Sequence, residues 1–250
     1  MPKKPQAPQN SHSDAAAKRR PFVIGAAVAV AAALLGTVSY TATRPEPRTD
    51  AAQDSTAGQR IDETTAALMK LARRDARDPL AQGRADAPVV LIEYADFKCG
   101  FCGKFARDTE PGLVKKYVDD GTLRIEWRNF PIFGAESEAA ARAAWAAGQQ
   151  GRFWQFHRAA YADGAKEKGF GADRLDTLAR EAGVQDLDRF RTDRDSAQAR
   201  TAVKKDQDEA YSLGATSTPS FLVNGQPLAG AQPAATFEQA VETAKAQAAK

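Results

Sequence analysis

Cys99 and Cys102 are the only two cysteines among 250 residues, and they stand three positions apart in Cys99-Gly100-Phe101-Cys102. Two sulfurs at that spacing can close a disulfide across one helical turn, or leave one sulfur exposed to exchange with the thiols of another protein. They can also hold a soft ion such as Cu(I). Zinc wants about four ligands, and the only histidines, His12 and His157, are far from the pair in sequence. No metal and no cofactor is expected. A purely structural bridge would close so small a loop that it would constrain the unfolded chain little, so redox chemistry is the favoured reading.

The elements around the pair place it at a strand-to-helix junction. Val89-Val90-Leu91-Ile92-Glu93-Tyr94 is too continuously apolar for a half-exposed strand, and predicts one buried on both faces of an α/β sheet, with Glu93 the exception. From Cys99 to Val118 the spacing of Phe105, Leu113, Val114, Tyr117 and Val118 predicts a helix, kinked at Pro111. Leu123 to Arg128 alternates at period two and predicts a second strand, so strand, crossover and strand make a parallel βαβ unit. Ala135 to Leu213 is helical in pieces, separated by Gly148 to Gly151, by Gly164 to Gly171 and around Gly183. Its last helix runs from about Ser196 to Leu213, with Gly214 as C-cap. Phe153, Trp154, Phe156, His157 and Tyr161 form an aromatic cluster read as core rather than as ligands. Ser220 to Val223, Asn224-Gly225 and Gln226 to Ala229 predict a hairpin, followed by a helix over about Pro233 to Ala246.

Upstream, the chain changes character. Residues 1–20 carry five Lys/Arg against Asp14, and residues 21–43 carry no charge, with Phe22 to Tyr40 almost wholly apolar. That length suits a bilayer's hydrocarbon core, and the basic cluster before it predicts a single-pass signal-anchor, N-terminus cytoplasmic and the rest extracytoplasmic. A cleavable signal peptide is the alternative and would make the protein secreted. Residues 44–60 read as a flexible tether, 61–78 as a helix ending before Asp78-Pro79, and 79–250 as the folded domain. With the formal charge at +3 and the basic tail contributing +4, the remaining 230 residues sum to −1, which gives no electrostatic case for nucleic acid.

The Cys-x-x-Cys after a strand, the helical insertion at about 135–213 and Thr218-Pro219 before the hairpin together resemble the thioredoxin-fold oxidoreductases of the DsbA type, over about Leu80 to Ala246. Glu93 to Cys102 and Gly151 to His157 look like segments of its bacterial, membrane-anchored or secreted branch. The resemblance implies a thioredoxin fold and a protein disulfide oxidoreductase. It implies that Cys99 and Cys102 form the redox disulfide, with Cys99 the reactive sulfur at a helix N-terminus and Cys102 the resolving one. Glu93, six residues before Cys99, would be a buried acid exchanging a proton with Cys102. Thr218-Pro219 would be a cis-proline loop that, with Gly100 and Phe101, accepts an extended substrate peptide. The implied partners are exported proteins with reduced cysteines and a membrane redox partner that recycles the pair. The chain departs from the strongly oxidising members in having Gly100-Phe101 where they have Pro-His; a Gly-aromatic pair looks more like disulfide isomerases. Those usually dimerise through a separate N-terminal domain, which residues 1–78 do not resemble, so a monomeric oxidase is expected, with isomerase or reductase as the alternative. A non-enzymatic Cu(I)- or client-binding module is the reading from another class.

Overall fold

In the computed structural model, residues 63–249 are described. The basic segment, the apolar segment 21–43 and the tether lie outside the described residues; among the described residues no helix is long and apolar enough to cross a membrane. Strands β1 (Ala81–Gln82), β2 (Val89–Ala95), β3 (Leu123–Asn129), β4 (Ser220–Val223) and β5 (Gln226–Ala229) form one mixed sheet in the order β1-β3-β2-β4-β5. β2 lies at its centre, parallel to β3 and antiparallel to β4, so that Glu93 pairs with Trp127 on one side and Phe221 on the other. Every residue of β2 is buried, as its continuous apolar run predicts.

Alternation assigns the two faces. Val89 and Leu91 pack with Phe105, Leu113, Phe221 and Phe237, while Val90, Ile92 and Tyr94 pack with Phe130, Ala210 and Leu222. Glu93 shares the parity of Val89 and Leu91 and therefore faces the layer that contains the helix following Cys99. That helix, α1 (Gly100–Asp108), ends at Thr109, whose φ of −117° leaves the helical range, and α2 (Glu110–Leu113) restarts with Pro111 in its first turn before a π-helical turn at Val114–Val118. The kink expected at Pro111 is realised two residues earlier, where the chain turns so that the proline ring, with no N–H to give, enters at a helix start.

The helical insertion consists of α3 (Ala135–Gly148), α4 (Phe153–Ala160), a 3-10 turn (Lys166–Lys168), α5 (Ala172–Glu181), α6 (Leu187–Asp195) and α7 (Ala197–Ser212). α7 starts where Ser196 Oγ accepts the Ala199 N–H, and α8 (Ala234–Ala248) closes the chain. The hairpin turn is the predicted one. Asn224 (φ 44°) and Gly225 (φ 80°) both adopt left-handed backbone, Asn224 Oδ1 accepts from the Val90 N–H, and its Nδ2 donates to the Pro88 carbonyl.

Strand β3 forms where its period-two pattern predicts, and all seven of its residues are buried. Glu126 accepts from Arg124 Nε and Arg128 Nη2, each at 2.8 Å, and from the backbone N–H groups of Arg73 and Arg74 at 2.9 and 2.8 Å. Asp206 of α7 pairs with Arg73 and accepts from Asn129, so the second face of β3 is an internal charge network. The same network accounts for one correction to the sequence reading. The helix expected over 61–78 covers only 63–69 of the described residues. Downstream, the Arg73 and Arg74 amides turn to Glu126 instead of to a preceding helical turn, and Arg74 takes φ 48°. Leu68 and Leu71 still dock on the sheet.

Candidate active site

Cys99 is the N-cap of α1. Its φ and ψ of −75° and 120° are extended, and its Sγ accepts the Cys102 N–H at 3.4 Å, which satisfies one of the free donors of the first turn. Asp96 sets up this geometry. Its buried carboxylate accepts from Lys98 N at 2.7 Å and from Ile132 and Phe133 N at 2.7 and 3.1 Å, while its backbone carbonyl accepts from Cys99 N and from the Tyr161 hydroxyl. Phe97, between them, stacks on Tyr161 at 5.1 Å. The loop between β2 and α1 is thus fastened to the α3 approach and to α4. Asp96 and Tyr161 carry no motif of their own, and sequence reasoning singled out neither as a site residue.

From the other side comes the Thr218-Pro219 loop, whose peptide bond is cis. Cys99 Sγ lies 3.2 Å from the Thr218 carbonyl and donates to it as a thiol. Both cysteines are free thiols in this structure. The exposed sulfur that sequence allowed for is not found: Cys99 is only 5% exposed and Cys102 fully buried. Access to Cys99 is through a small groove lined by Gly100, Arg107, Tyr161 and Lys166. Phe101 points outward at the rim and is 66% exposed.

The electrostatics separate the two sulfurs. Hydrogen bonding from the Cys102 side chain, stronger than the opposing effect of burial and joined by the Thr218 side chain and the Cys102 and Phe101 amides, brings the Cys99 thiol down to about 6. Cys102 is pushed well above the ordinary thiol range by burial, then by Cys99 and Glu93. Glu93 is itself fully buried with neither carboxylate oxygen hydrogen-bonded, and is raised well above the carboxylate range by burial, then by Glu110 and Cys99. A thiolate at Cys99, a thiol at Cys102 and a protonated acid at Glu93 follow at neutral pH.

His157 falls where the aromatic reading put it, in the core, its ring 4.9 Å from Tyr161 and 5.1 Å from Trp127. Burial, with Arg158 adding, lowers it to about 3, so it is neutral. Beside it stands a group the sequence did not reveal. Glu110 is buried, its Oε1 accepts from Gln82 Nε2 at 2.8 Å, and its Oε2 lies 3.7 Å from His157 Nδ1. Burial pushes it up to about 7. Acids at helix starts are ordinarily exposed, so spacing gave no signal for it. Among the described residues no cluster of three or more His, Cys, Asp or Glu is arranged to hold a metal ion.

Residues 75–243 match the family model described as Thioredoxin. The chain is 33% identical over 148 residues to the probable disulfide bond formation protein D of Bacillus cereus, covering 57% of this chain and 68% of that protein. It is 34% identical over 152 residues to the Na(+)/H(+) antiporter NhaA 1 of Salinispora arenicola; the match takes in 58% of this chain but spans only 21% of the antiporter's length. Among solved structures, oxidised BdbD from Bacillus subtilis superposes with a TM-score of 0.63 at 22% identity, over 69% of this chain and 95% of BdbD.

Proposed function

Since the chain belongs to the thioredoxin family and, within it, to the DsbA type, we propose that it is an extracytoplasmic protein disulfide oxidoreductase forming disulfides in exported proteins through Cys99 and Cys102. The observation that carries this reading is the position of Cys99 Sγ: cap of α1, between the Cys102 amide and the Thr218 carbonyl, with its thiol lowered to about 6. Capture of exported clients by the domain, recycling by a membrane redox partner, anchoring through residues 21–43 and a monomeric state belong to the same proposal. Antiport does not, because the match spans about a fifth of the antiporter.

In the oxidised protein a substrate thiolate attacks Cys99 Sγ, forming a mixed disulfide and breaking the Cys99–Cys102 bond. Cys102 leaves with the electron pair and takes the Glu93 proton. The second substrate thiolate then attacks the substrate sulfur of the mixed disulfide and expels Cys99 as a thiolate. Two electrons pass from the substrate dithiol to the pair, and the substrate gains its disulfide. In reoxidation Cys102, deprotonated by Glu93, attacks Cys99 in the mixed disulfide with the recycling partner. Thr218-Pro219 and the exposed Phe101 would flank an extended peptide during the exchange.

Full-length protein, oxidised and mixed with a reduced unfolded model protein, should convert client thiols to disulfide, and Cys99→Ser should abolish the transfer. Transfer that survives Cys99→Ser, or tight stoichiometric Cu(I) binding with negligible exchange, refutes the assignment. Gly100-Phe101 favours an isomerase or reductase as a second reading, since no imidazole in the motif supports the thiolate. Equilibration with glutathione buffers separates the two: a potential near about −120 mV marks an oxidase and one near about −270 mV a reductase.

A further inference from the structure

Glu93 has no contact with solvent, yet it is held protonated beside the free thiols, so the proton it gives to Cys102 during reduction must be replaced through the protein, and withdrawn by the same route before Glu93 can take the Cys102 proton in reoxidation. β2 offers no outlet: all of its residues are buried, and both Glu93 oxygens lack a protein partner. The helix layer offers one. Cys102, Ala106 and Glu110 recur at intervals of four and, despite the break at Thr109, all three are buried. Ala106 and Glu110 also line a cleft of about 240 Å³ that opens on the side of the domain where Gln82, Val114, Trp154 and Arg158 meet. Glu110 lies close enough to Glu93 to be, after burial, the largest influence raising it, while its oxygens face Gln82 and His157.

We propose that Glu110 is the relay between Glu93 and solvent: a proton enters from the cleft, resides on the Glu110 carboxyl and refills Glu93 after Cys102 has taken its proton. The inference rests on the proton-donor role given to Glu93 above. In the forward reaction Cys102 sulfur gains a proton and Glu93 becomes a carboxylate; Glu110–OH gives its proton to Glu93, and the Glu110 carboxylate takes one from water in the cleft. Electron flow remains confined to the sulfurs. Glu110 acts through Glu93 and never touches the reacting atoms, so it is a positioning residue for the proton.

The surroundings suit a group that both holds and releases a proton. Glu93 from β2 disfavours a second negative charge, and the neutral His157 of α4, with Nδ1 3.7 Å away, can accept from a protonated carboxyl. Opposing these, Gln82 from β1 donates to Oε1, and Arg158 of α4 favours the carboxylate. Lys115 and Asp119, of the π-turn and the residue after it, complete the charged groups on the cleft. The opposing influences leave Glu110 titrating at about 7, near the working pH of a proton carrier.

Stopped-flow reduction of the oxidised full-length protein by dithiothreitol, from pH 5 to 9, tests the proposal on Glu110→Gln, Glu93→Gln and the double variant. General acids contribute ~10²–10⁴-fold, and loss of a relay behind one should cost less, roughly tenfold, with the inflection near pH 7 removed. The double variant should be no slower than Glu93→Gln alone, because the two groups lie on one path. Glu110→Asp, which keeps the acid, should restore the pH profile even if folding is perturbed. An unchanged profile in Glu110→Gln, or penalties that multiply in the double variant, overturns the relay while leaving the Glu93 role intact. If Glu93→Gln also reacts like the parent, both proposals fall.

Discussion

Cys102 is expected to tune the acidity of Cys99 through its own thiol, because hydrogen bonding from the Cys102 side chain is the largest influence lowering Cys99 to about 6. Cys102→Ala deletes that donor and leaves the Thr218 side chain and the helix amides in place. A hydrogen bond to a charged acceptor contributes ~1.5–3 kcal/mol, and sulfur belongs at the low end. At ~1.4 kcal/mol per pH unit, the variant should titrate about one unit higher, near pH 7. Cys102→Ser retains a donor at the same place and should stay close to the parent. The assay is thiolate absorbance at 240 nm, or the rate of alkylation by iodoacetamide, followed against pH in the reduced protein. Cys102 does not interfere, since its own titration lies well above the ordinary thiol range. Equal inflections in the parent and Cys102→Ala would refute the reasoning.

The same acidity has a thermodynamic consequence. A thiol depressed from ~8.5 stabilises the folded dithiol form fully above pH ~8.5, and the effect is lost as pH falls through about 6. At pH 7 about one unit of it remains, up to ~1.4 kcal/mol before screening by water in the groove. For a two-electron couple that is at most about 30 mV toward the oxidising side. The acidity of Cys99 thus pushes toward the oxidising side by a bounded amount, and alone does not place the pair among the strongest oxidants.

Glu126→Gln should lower stability by ~3–5 kcal/mol, the range for breaking a buried ion pair, because Arg124 and Arg128 lose their shared carboxylate; a loss under about 1 kcal/mol in urea titration would contradict the network. Burial alone would raise Glu126, but hydrogen bonds from Arg124 and Arg128 override it and hold it at about 2. The stabilisation is present above the unfolded value of ~4.3 and lost as pH falls toward 2, so Glu126→Gln should flatten that acid limb. Gly225→Ala should be more damaging than Gly230→Ala in thermal melts. Both glycines have left-handed φ, worth ~1–2 kcal/mol, but a Cβ on Gly225 would sit 2.5 Å from the Thr65 carbonyl, while none lies within 4 Å of one on Gly230. Equal melting points would remove the role given to that close approach.

The parts of the site legible in the sequence are those fixed by local chemistry. The unbroken apolar run places β2 at the sheet centre, Asn224-Gly225 fixes the hairpin register, and two cysteines after a buried strand mark a helix cap. What escaped depends on long-range partners. Arg124, Glu126 and Arg128 alternate as an exposed face would, and only the arrival of Arg73 and Asp206 from distant segments makes their burial possible. The same partners end the 63–69 helix early, where local propensity continues it. Asp96 and Glu110 look like surface acids until the loop at Ile132–Phe133 and the side chain of Gln82 come to meet them.

Most helices begin at a hydroxyl or carboxylate that never changes; under the exchange proposed for Cys99 and Cys102, α1 begins at a sulfur whose charge alternates with every turnover. In the dithiol state the Phe101 and Cys102 amides face an anion, and in the disulfide they face a neutral atom. The first turn of α1 should therefore breathe differently in the two states, its amides exchanging with deuterium more slowly when the pair is reduced. A client or recycling partner meeting the rim at Phe101 would encounter a stiffer or a looser helix start according to whether the protein carries electrons, a mechanical signal available before any sulfur is touched.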